Sequence, residues 1–283
     1  MNGIRLLADS TCDLSPELIE QYHITILPLN IVLKDKSYLD GLEITPDEIY
    51  VWADANRTTP KTAAPEMGAV MDLLKPMAEA HEPAIFFTIS GEMSVTGNVI
   101  AMAASDLNYT ELRIIDSRNL STGIGLQILY AADLIAQGLD LDTVVAKVKA
   151  RQDLVRASFV VDTLTYLQRG GRCNAVVALM GNAMQLKPKI IVKDGKMGVA
   201  SKYRGKQRKV IMHYVQDLEE QLKQADPHRV FITHSGVDDL IIEDIRTYLH
   251  QLHHFDTILV TRAGGVISSH CGPATLGVLF YAQ

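Results

Sequence analysis

The segment that most constrains the fold is residues 84–89, AIFFTI, a run apolar but for Thr88 that follows Pro83 and stops just before Gly91. A run this short, with Phe86, Phe87 and Ile89 in it, suits a strand buried on both faces, as in a parallel sheet covered by helices. Behind it, Ser90, Ser94 and Thr96 are interleaved with Gly91 and Gly97, and residues 99–105 have helical spacing. In an open α/β sheet, ligands gather at the carboxyl ends of strands, where helix N-termini offer free N–H groups. Hydroxyls beside such N–H groups hold an oxyanion without a metal. This stretch is the candidate site.

Elements of the same kind surround it. Residues 4–8 read as a strand ending at Asp9, Ser10, Thr11, Cys12 and Asp13, and Ser15 with Pro16 opens a helix as N-cap and first helical position. Residues 24–33 read as a second strand and 34–41 as a turn. Thr45 and Glu48 form a capping box before a short helix that holds Trp52, the only tryptophan. Residues 58–65, TTPKTAAP, read as a loop rich in hydroxyls, and Met67, Val70, Met71 and Leu74 follow at helical spacing. Residues 112–115 form another strand, ending at Asp116 and Ser117, and a helix runs from Ser121 to about residue 136. Alternating strands and helices predict an α/β fold whose N-terminal part is a doubly wound parallel sheet. Its loops at residues 9–10, 90–96 and 116–117 should converge.

The second half changes character. A helix over 140–154 leads to a strand at 159–161 and a short helix at 163–168 closed by Arg169, Gly170, Gly171 and Arg172. Residues 175–184 are apolar and helical in pattern. Residues 189–192 and 197–200 flank Lys193, Asp194, Gly195 and Lys196, a strong hairpin signal. A long amphipathic helix is expected over 210–222, with a strand at 230–233, a helix at 241–252 and a strand at 258–260. The C-terminal stretch carries Ser268, Ser269, His270, Gly272 and Pro273 in what reads as a hydroxyl-rich loop. The expectation is two domains, 1–155 and 156–283, the second an α/β domain with a mixed sheet.

Composition removes several classes of function. A formal charge of -6 over 283 residues disfavours a nucleic-acid partner gripped by a basic field. Cys12, Cys173 and Cys271 are odd in number and lack metal spacing, which suits a reducing compartment. Asp9 interrupts the N-terminus too early for a signal peptide, and no apolar run approaches the ~20 residues of a membrane span. A cytoplasmic protein without an integral membrane segment is expected. His250, His253 and His254 have only Asp256 nearby, so no metal is assigned, and no P-loop marks a nucleotide site.

Six motifs then occur in order: Asp9, Ser10 and Thr11; Lys61, Thr62 and Pro65; Ser94 and Thr96; Asp116 and Ser117; Leu167 with Arg169, Gly170, Gly171 and Arg172; and His270, Gly272 and Pro273. The series resembles the DegV family of bacterial fatty-acid-binding proteins over nearly the whole chain. The resemblance implies a long-chain fatty acid, such as palmitate, buried between two domains. It implies that Thr62 and Ser94 hydrogen-bond the carboxylate and that His270 supports the site; Thr96 and Arg172 are further supporting candidates. It also implies a partner, a fatty acid kinase that converts the presented carboxylate to an acyl phosphate. Ala63, Ala64, Val95 and Ala274 depart from the family pattern without touching either carboxylate ligand.

The residues themselves admit more than one reading. A buried carboxylate needs several donors, because an unpaired buried charge costs several kcal/mol. Thr62, Ser94 and nearby N–H groups supply them, although both residues also suit helix caps. Each buried methylene of a tail contributes ~0.8 kcal/mol, and residues 67–77 and 176–184 offer methionine-bearing apolar helices to line a tunnel. Arg204, Lys206 and Arg208 lie in the one basic cluster, either a solvated helix start or a docking patch for an acidic partner. The competing function is a serine hydrolase of acyl esters using Ser94, His270 and Asp9 or Asp116, but no G-x-S-x-G elbow is present. A carrier that catalyses nothing alone, with no cofactor, is the favoured reading.

Overall fold

The computed structural model describes residues 3–173 and 186–283. In chain order the first part contains β1 (Arg5–Asp9), α1 (Pro16–Gln21), β2 (Ile24–Leu27), β3 (Asn30–Leu33), β4 (Lys36–Leu39), α2 (Pro46–Asn56) and β5 (Lys61–Ala63). It continues through α3 (Met67–Glu79), β6 (Ala84–Thr88), α4 (Thr96–Asp106), β7 (Leu112–Asp116), α5 (Thr122–Ala136) and α6 (Leu141–Arg151). The rest comprises β8 (Val155–Val160), α7 (Thr165–Gly170), β9 (Leu186–Lys193), β10 (Lys196–Arg204), α8 (Gln207–Gln216) and α9 (Glu219–Lys223). β11 (Ala225–His234), α10 (Asp239–Gln251), β12 (Thr257–Arg262), α11 (Gly265–Cys271) and β13 (Leu276–Ala282) complete it.

β6 is buried along its whole length and lies inside a parallel sheet of order β2-β1-β6-β7. Its side chains alternate between faces, as the period of a strand requires. Phe86 joins Leu7, Val70, Leu74 and Ile100 under α3 and α4, while Ile85 and Phe87 join Leu6, Ile124 and Ile128 under α5. The C-terminal part forms a mixed sheet of order β10-β9-β8-β13-β11-β12. One face of it, with Ala157, Phe159, Ile190, Phe231 and Leu279, packs in the same apolar cluster as α5. The other packs Val230, Ile232, Val278 and Phe280 against α8, α9 and α10. α5 therefore lies between the two sheets and is buried along most of its length. A helix in that position is apolar all round rather than along one stripe.

Several expectations need correction. The strand read over 24–33 is two strands in two sheets, because Pro28 has no N–H to give the parallel ladder. β3 instead pairs antiparallel with β4 and β5 in a small sheet of order β4-β3-β5. The turn read over 34–41 contains β4, and the loop read over 58–65 contains β5. The helix read over 210–222 breaks between α8 and α9, where Leu218 N–H bonds back three residues to Val215 O and tightens the turn. The loop around His270 is α11. The methionines of 67–77 line no tunnel: Met67, Met71 and Met77 pack with α3 against the first sheet. The helix and tunnel wall expected over 175–184 lie outside the described residues.

Phe86 is fully buried at the centre of its cluster. Phe86→Ala should lower unfolding free energy by about 3–5 kcal/mol, whereas Met102→Ala on the exposed side of α4 should change it by less than about 0.5. Denaturant midpoints of the two variants test this.

Candidate ligand-binding site

The carboxyl ends of β1, β6 and β7 converge as expected. Asp9 ends β1; its Oδ2 accepts from the Ile89 N–H at 2.8 Å and its Oδ1 from the Thr11 N–H at 3.0 Å. Gly91 N–H reaches Asp116 Oδ2 at 3.2 Å, and Ser117 N–H reaches Thr88 O at 3.1 Å. Ser90 donates to Gly195 O at 2.8 Å, which fastens this loop to the tip of the β9–β10 hairpin. Gly195 has φ +77, and a Cβ there would stand 2.7 Å from Ser90 Oγ. The turn geometry and the docking contact both demand glycine.

Ser94 follows on the same loop. Its Oγ accepts the Thr96 N–H at 3.3 Å and lies 2.8 Å from Thr96 Oγ1. With Thr96 as donor in both contacts, the Ser94 proton is free to point elsewhere. Thr62 reaches the same place from β5, opposite Ile31 of β3, so it is a strand residue and not a helix cap. Thr62 Oγ1 lies 2.8 Å from His270 Nε2 in the last turn of α11. The Nδ1 atom of His270 is buried with no hydrogen-bond partner among the described residues, and a Cβ on Gly170 would fall 2.2 Å from it. Gly170 is thus required by close approach, and Gly171, at φ +67, by the left-handed end of α7.

Burial, and secondarily the Arg172 charge, pushes His270 down to about 4, so the ring is neutral at pH 7. A buried N–H without an acceptor is the costlier orphan, which assigns the proton to Nε2. His270 then donates to Thr62, and the Thr62 O–H is left as a donor. Arg172 donates to Gly170 O at 2.8 Å.

Thr62, Ser94, Arg172 and His270 all line one cavity of about 530 Å³, walled otherwise by groups such as Leu29, Met93 and Met197. Ala63, Ala64 and Val95 line it too, so these departures from the family pattern touch the cavity wall. Leu120, Ile267 and Cys271 of this wall also line a separate crevice of only about 20 Å³ next to Phe159 and Leu279. Thr96 is fully buried behind Ser94 and supports it rather than lining the cavity. What the cavity can do chemically is accept an oxyanion at two hydroxyl donors and an apolar chain beyond them.

The serine-hydrolase triad is not assembled. His270 bonds Thr62, Asp9 bonds Thr11 and Ile89, and Asp116 accepts from Gly91 and Arg118, so no carboxylate orients the imidazole toward Ser94. Burial pushes the Cys12 and Cys271 thiols up, away from nucleophilic character. In the basic cluster, Arg208 is held by a bidentate bridge to Asp244 at 2.6 and 3.0 Å. Arg204 and Lys206 are exposed, and neither has an ion pair among the described residues.

Sequence reasoning missed a second polar layer beneath the site. Asp9, Asp13 and Asp40 are buried, and their partners are N–H and hydroxyl groups rather than cations. Asp13 takes the Gly264 N–H at 2.8 Å and lies 2.5 Å from Ser121 Oγ. Burial pushes Asp9 up to about 6 and Asp13 up to about 8. The available signal was the short chain of acidic and hydroxyl residues after the first strand, which is common on exposed loops as well.

These features define an α/β protein of two large sheets and one small one, with a hydroxyl-lined cavity beside its central helix. The family model described as "Uncharacterised protein, DegV family COG1307" matches residues 3–283. A DegV domain-containing protein of Clostridium acetobutylicum is 30% identical over 287 residues, covering 100% of both chains. Among solved structures, a fatty-acid-binding DegV family protein from Thermus thermophilus matches with TM-score 0.90 and 28% identity over 99% of both chains. A stearic-acid-binding protein from Eubacterium ventriosum matches with TM-score 0.84 and 28% identity, over 99% of this chain and 98% of its own. The chain belongs to the DegV family.

Folded Asp13 keeps its proton to about pH 8, whereas an unfolded aspartic acid releases it near ~3.9. The folded state therefore binds more protons between these values, and Asp13 erodes stability as pH rises through that window. Asp13→Asn should match the parent near pH 4 and become progressively more stable than it toward pH 8. Urea midpoints at several pH values measure this, and a pH-independent difference would refute the assignment.

Proposed function

We propose that this protein binds a long-chain fatty acid, with the carboxylate on the Thr62 and Ser94 hydroxyls, and presents it to a fatty acid kinase for acyl-phosphate formation. The observation that carries the reading is the placement of both hydroxyls on one cavity of about 530 Å³ whose wall is otherwise largely apolar. With His270 Nε2 and Thr96 Oγ1 as the donors in these contacts, Thr62 and Ser94 each keep a proton to give. Arg172, on the same wall, supplies the positive charge that a buried carboxylate needs. The relatives that bind fatty acids support the substrate class. In this reading residues 1–155 and 156–283 act as two domains that enclose the ligand, and the protein is a cytoplasmic carrier without catalysis or cofactor of its own. Arg204 and Lys206 form the exposed part of the kinase-docking surface, with Arg208 bound to Asp244 behind them.

Mass spectrometry of gently purified and then denatured protein should release a stoichiometric fatty acid; an empty cavity that also refuses palmitate in titration would sink the reading. Thr62→Ala with Ser94→Ala should weaken palmitate binding by about 1–3 kcal/mol or more while leaving the circular dichroism spectrum unchanged. Arg204→Glu with Lys206→Glu should reduce kinase turnover of the bound fatty acid, more so at low salt, without altering palmitate affinity. Unchanged turnover would remove these two residues from the docking surface.

A further inference from the structure

We propose that Asp40 is a positioning residue for the carboxylate site: it clamps the N-terminus of α11 to the small sheet that carries Thr62, and so sets where His270 stands against Thr62. The inference rests on the fatty-acid reading above and adds to it a residue that touches no ligand.

Asp40 directly follows β4, and its own N–H donates to Leu29 O at 2.9 Å. The residue is 4% exposed. Oδ1 accepts the Gly265 N–H at 2.7 Å, and Oδ2 accepts the Val266 N–H at 3.3 Å and the Ser10 hydroxyl at 2.7 Å. Ser10 Oγ in turn accepts the Leu29 N–H at 3.2 Å, so the clamp is itself held to the segment entering β3. No cation pairs with Asp40 among the described residues; the titratable groups around it are Asp9 and Asp13, the latter on the neighbouring Gly264 N–H.

The opposite end of α11 returns to the same sheet. Thr62 pairs with Ile31 of β3, and β3 pairs with β4, which leads straight into Asp40. His270 Nε2, in the last turn of α11, meets Thr62 Oγ1 at 2.8 Å. The helix is thus pinned to one three-stranded sheet at both ends, by a carboxylate at its start and an imidazole at its finish. Both pins lie within one helix of 7 residues, which leaves no length in which a displacement at one end can be absorbed before the other. Contact is close in between: a Cβ on Gly265 would fall 2.5 Å from Ile31 Cδ1, 2.7 Å from Asp40 Oδ1 and 2.8 Å from Ile49 Cδ1. Glycine at 265 is what lets the helix sit low enough for both pins to engage.

The plain alternative is that Asp40 only stabilises the fold. Loss of the clamp would then reduce the folded fraction but leave affinity and selectivity of the folded molecules as they were. The discriminating experiment compares palmitic acid with hexadecanol, which has the same tail and no carboxylate, by calorimetry at pH 7. The proteins are the full-length parent, Asp40→Asn, Gly265→Ala and Ser10→Ala, with thermal melts recorded alongside. Asp40→Asn and Gly265→Ala should lose affinity for the acid by about tenfold or more, while the alcohol changes by less than about twofold. Ser10→Ala, which leaves both helix N–H bonds in place, should fall between these variants and the parent. The ¹⁵N shifts of the His270 ring should move in Asp40→Asn as its bond to Thr62 loosens. If Asp40→Asn does not fold, Gly265→Ala and Ser10→Ala carry the comparison. Acid affinity equal to the parent in the folded variants, or equal proportional losses for acid and alcohol, would overturn the proposal. Thr62→Ala separates the two levels: should it leave acid binding intact, the fatty-acid reading itself fails; should it weaken binding while the clamp variants do not, only the positioning role of Asp40 fails.

Discussion

Everything about this molecule is arranged around one helix shared by two sheets. α5 packs against β6 of the parallel sheet and against β8, β11 and β13 of the mixed sheet. It begins where β7 ends, on the same edge as the carboxyl ends of β1 and β6. Burying it on every side joins the two halves into a single apolar cluster, from Ile85 and Phe87 on one side to Phe159 and Leu279 on the other. It also fixes the strand ends, with their hydroxyls, on the side where α11 and the small sheet come to rest. The cavity lies at that junction because regular packing of helix on sheet stops there.

A second constraint comes from placing polar groups at such a junction. Buried carboxylates with no cation beside them must be satisfied by dipoles, and here the dipoles are backbone N–H groups at Ile89, Gly264, Gly265 and Val266, with the hydroxyls of Ser10, Thr11 and Ser121. These contacts reach from the first loop of the chain to its last helix. Because each acceptor is matched to a fixed donor, the network orders the segments around the cavity as well as holding them together. The neutral His270 follows the same logic: with a proton to give and Thr62 to receive it, it leaves the threonine O–H on the cavity wall.

Legibility differed by the range of the interactions involved. The apolar run 84–89 announced a strand buried on both faces, and β6 is that strand. The Asp194–Gly195 hairpin and the Thr45–Glu48 capping box were equally plain, since each is settled within a few residues. The small sheet was not plain. β4 and β5 are 4 and 3 residues long, and only pairing with β3 makes them strands. Likewise, the methionines of α3 gave a correct helix and a wrong destination, because spacing reveals that a face is buried but not what it is buried against.

From the sequence alone came the alternation of strand and helix, the family to which the chain belongs, and Thr62 and Ser94 as candidate hydroxyls. These follow from local preference, apolar periodicity and ordered motifs. Tertiary structure decided that Thr62 meets His270, 208 residues away, that Pro28 sends the chain into a second sheet, and that Asp40 receives the start of the helix bearing that histidine. Such partners are chosen by which surfaces come to face one another once two sheets close on one helix, and no short stretch of the chain carries that information.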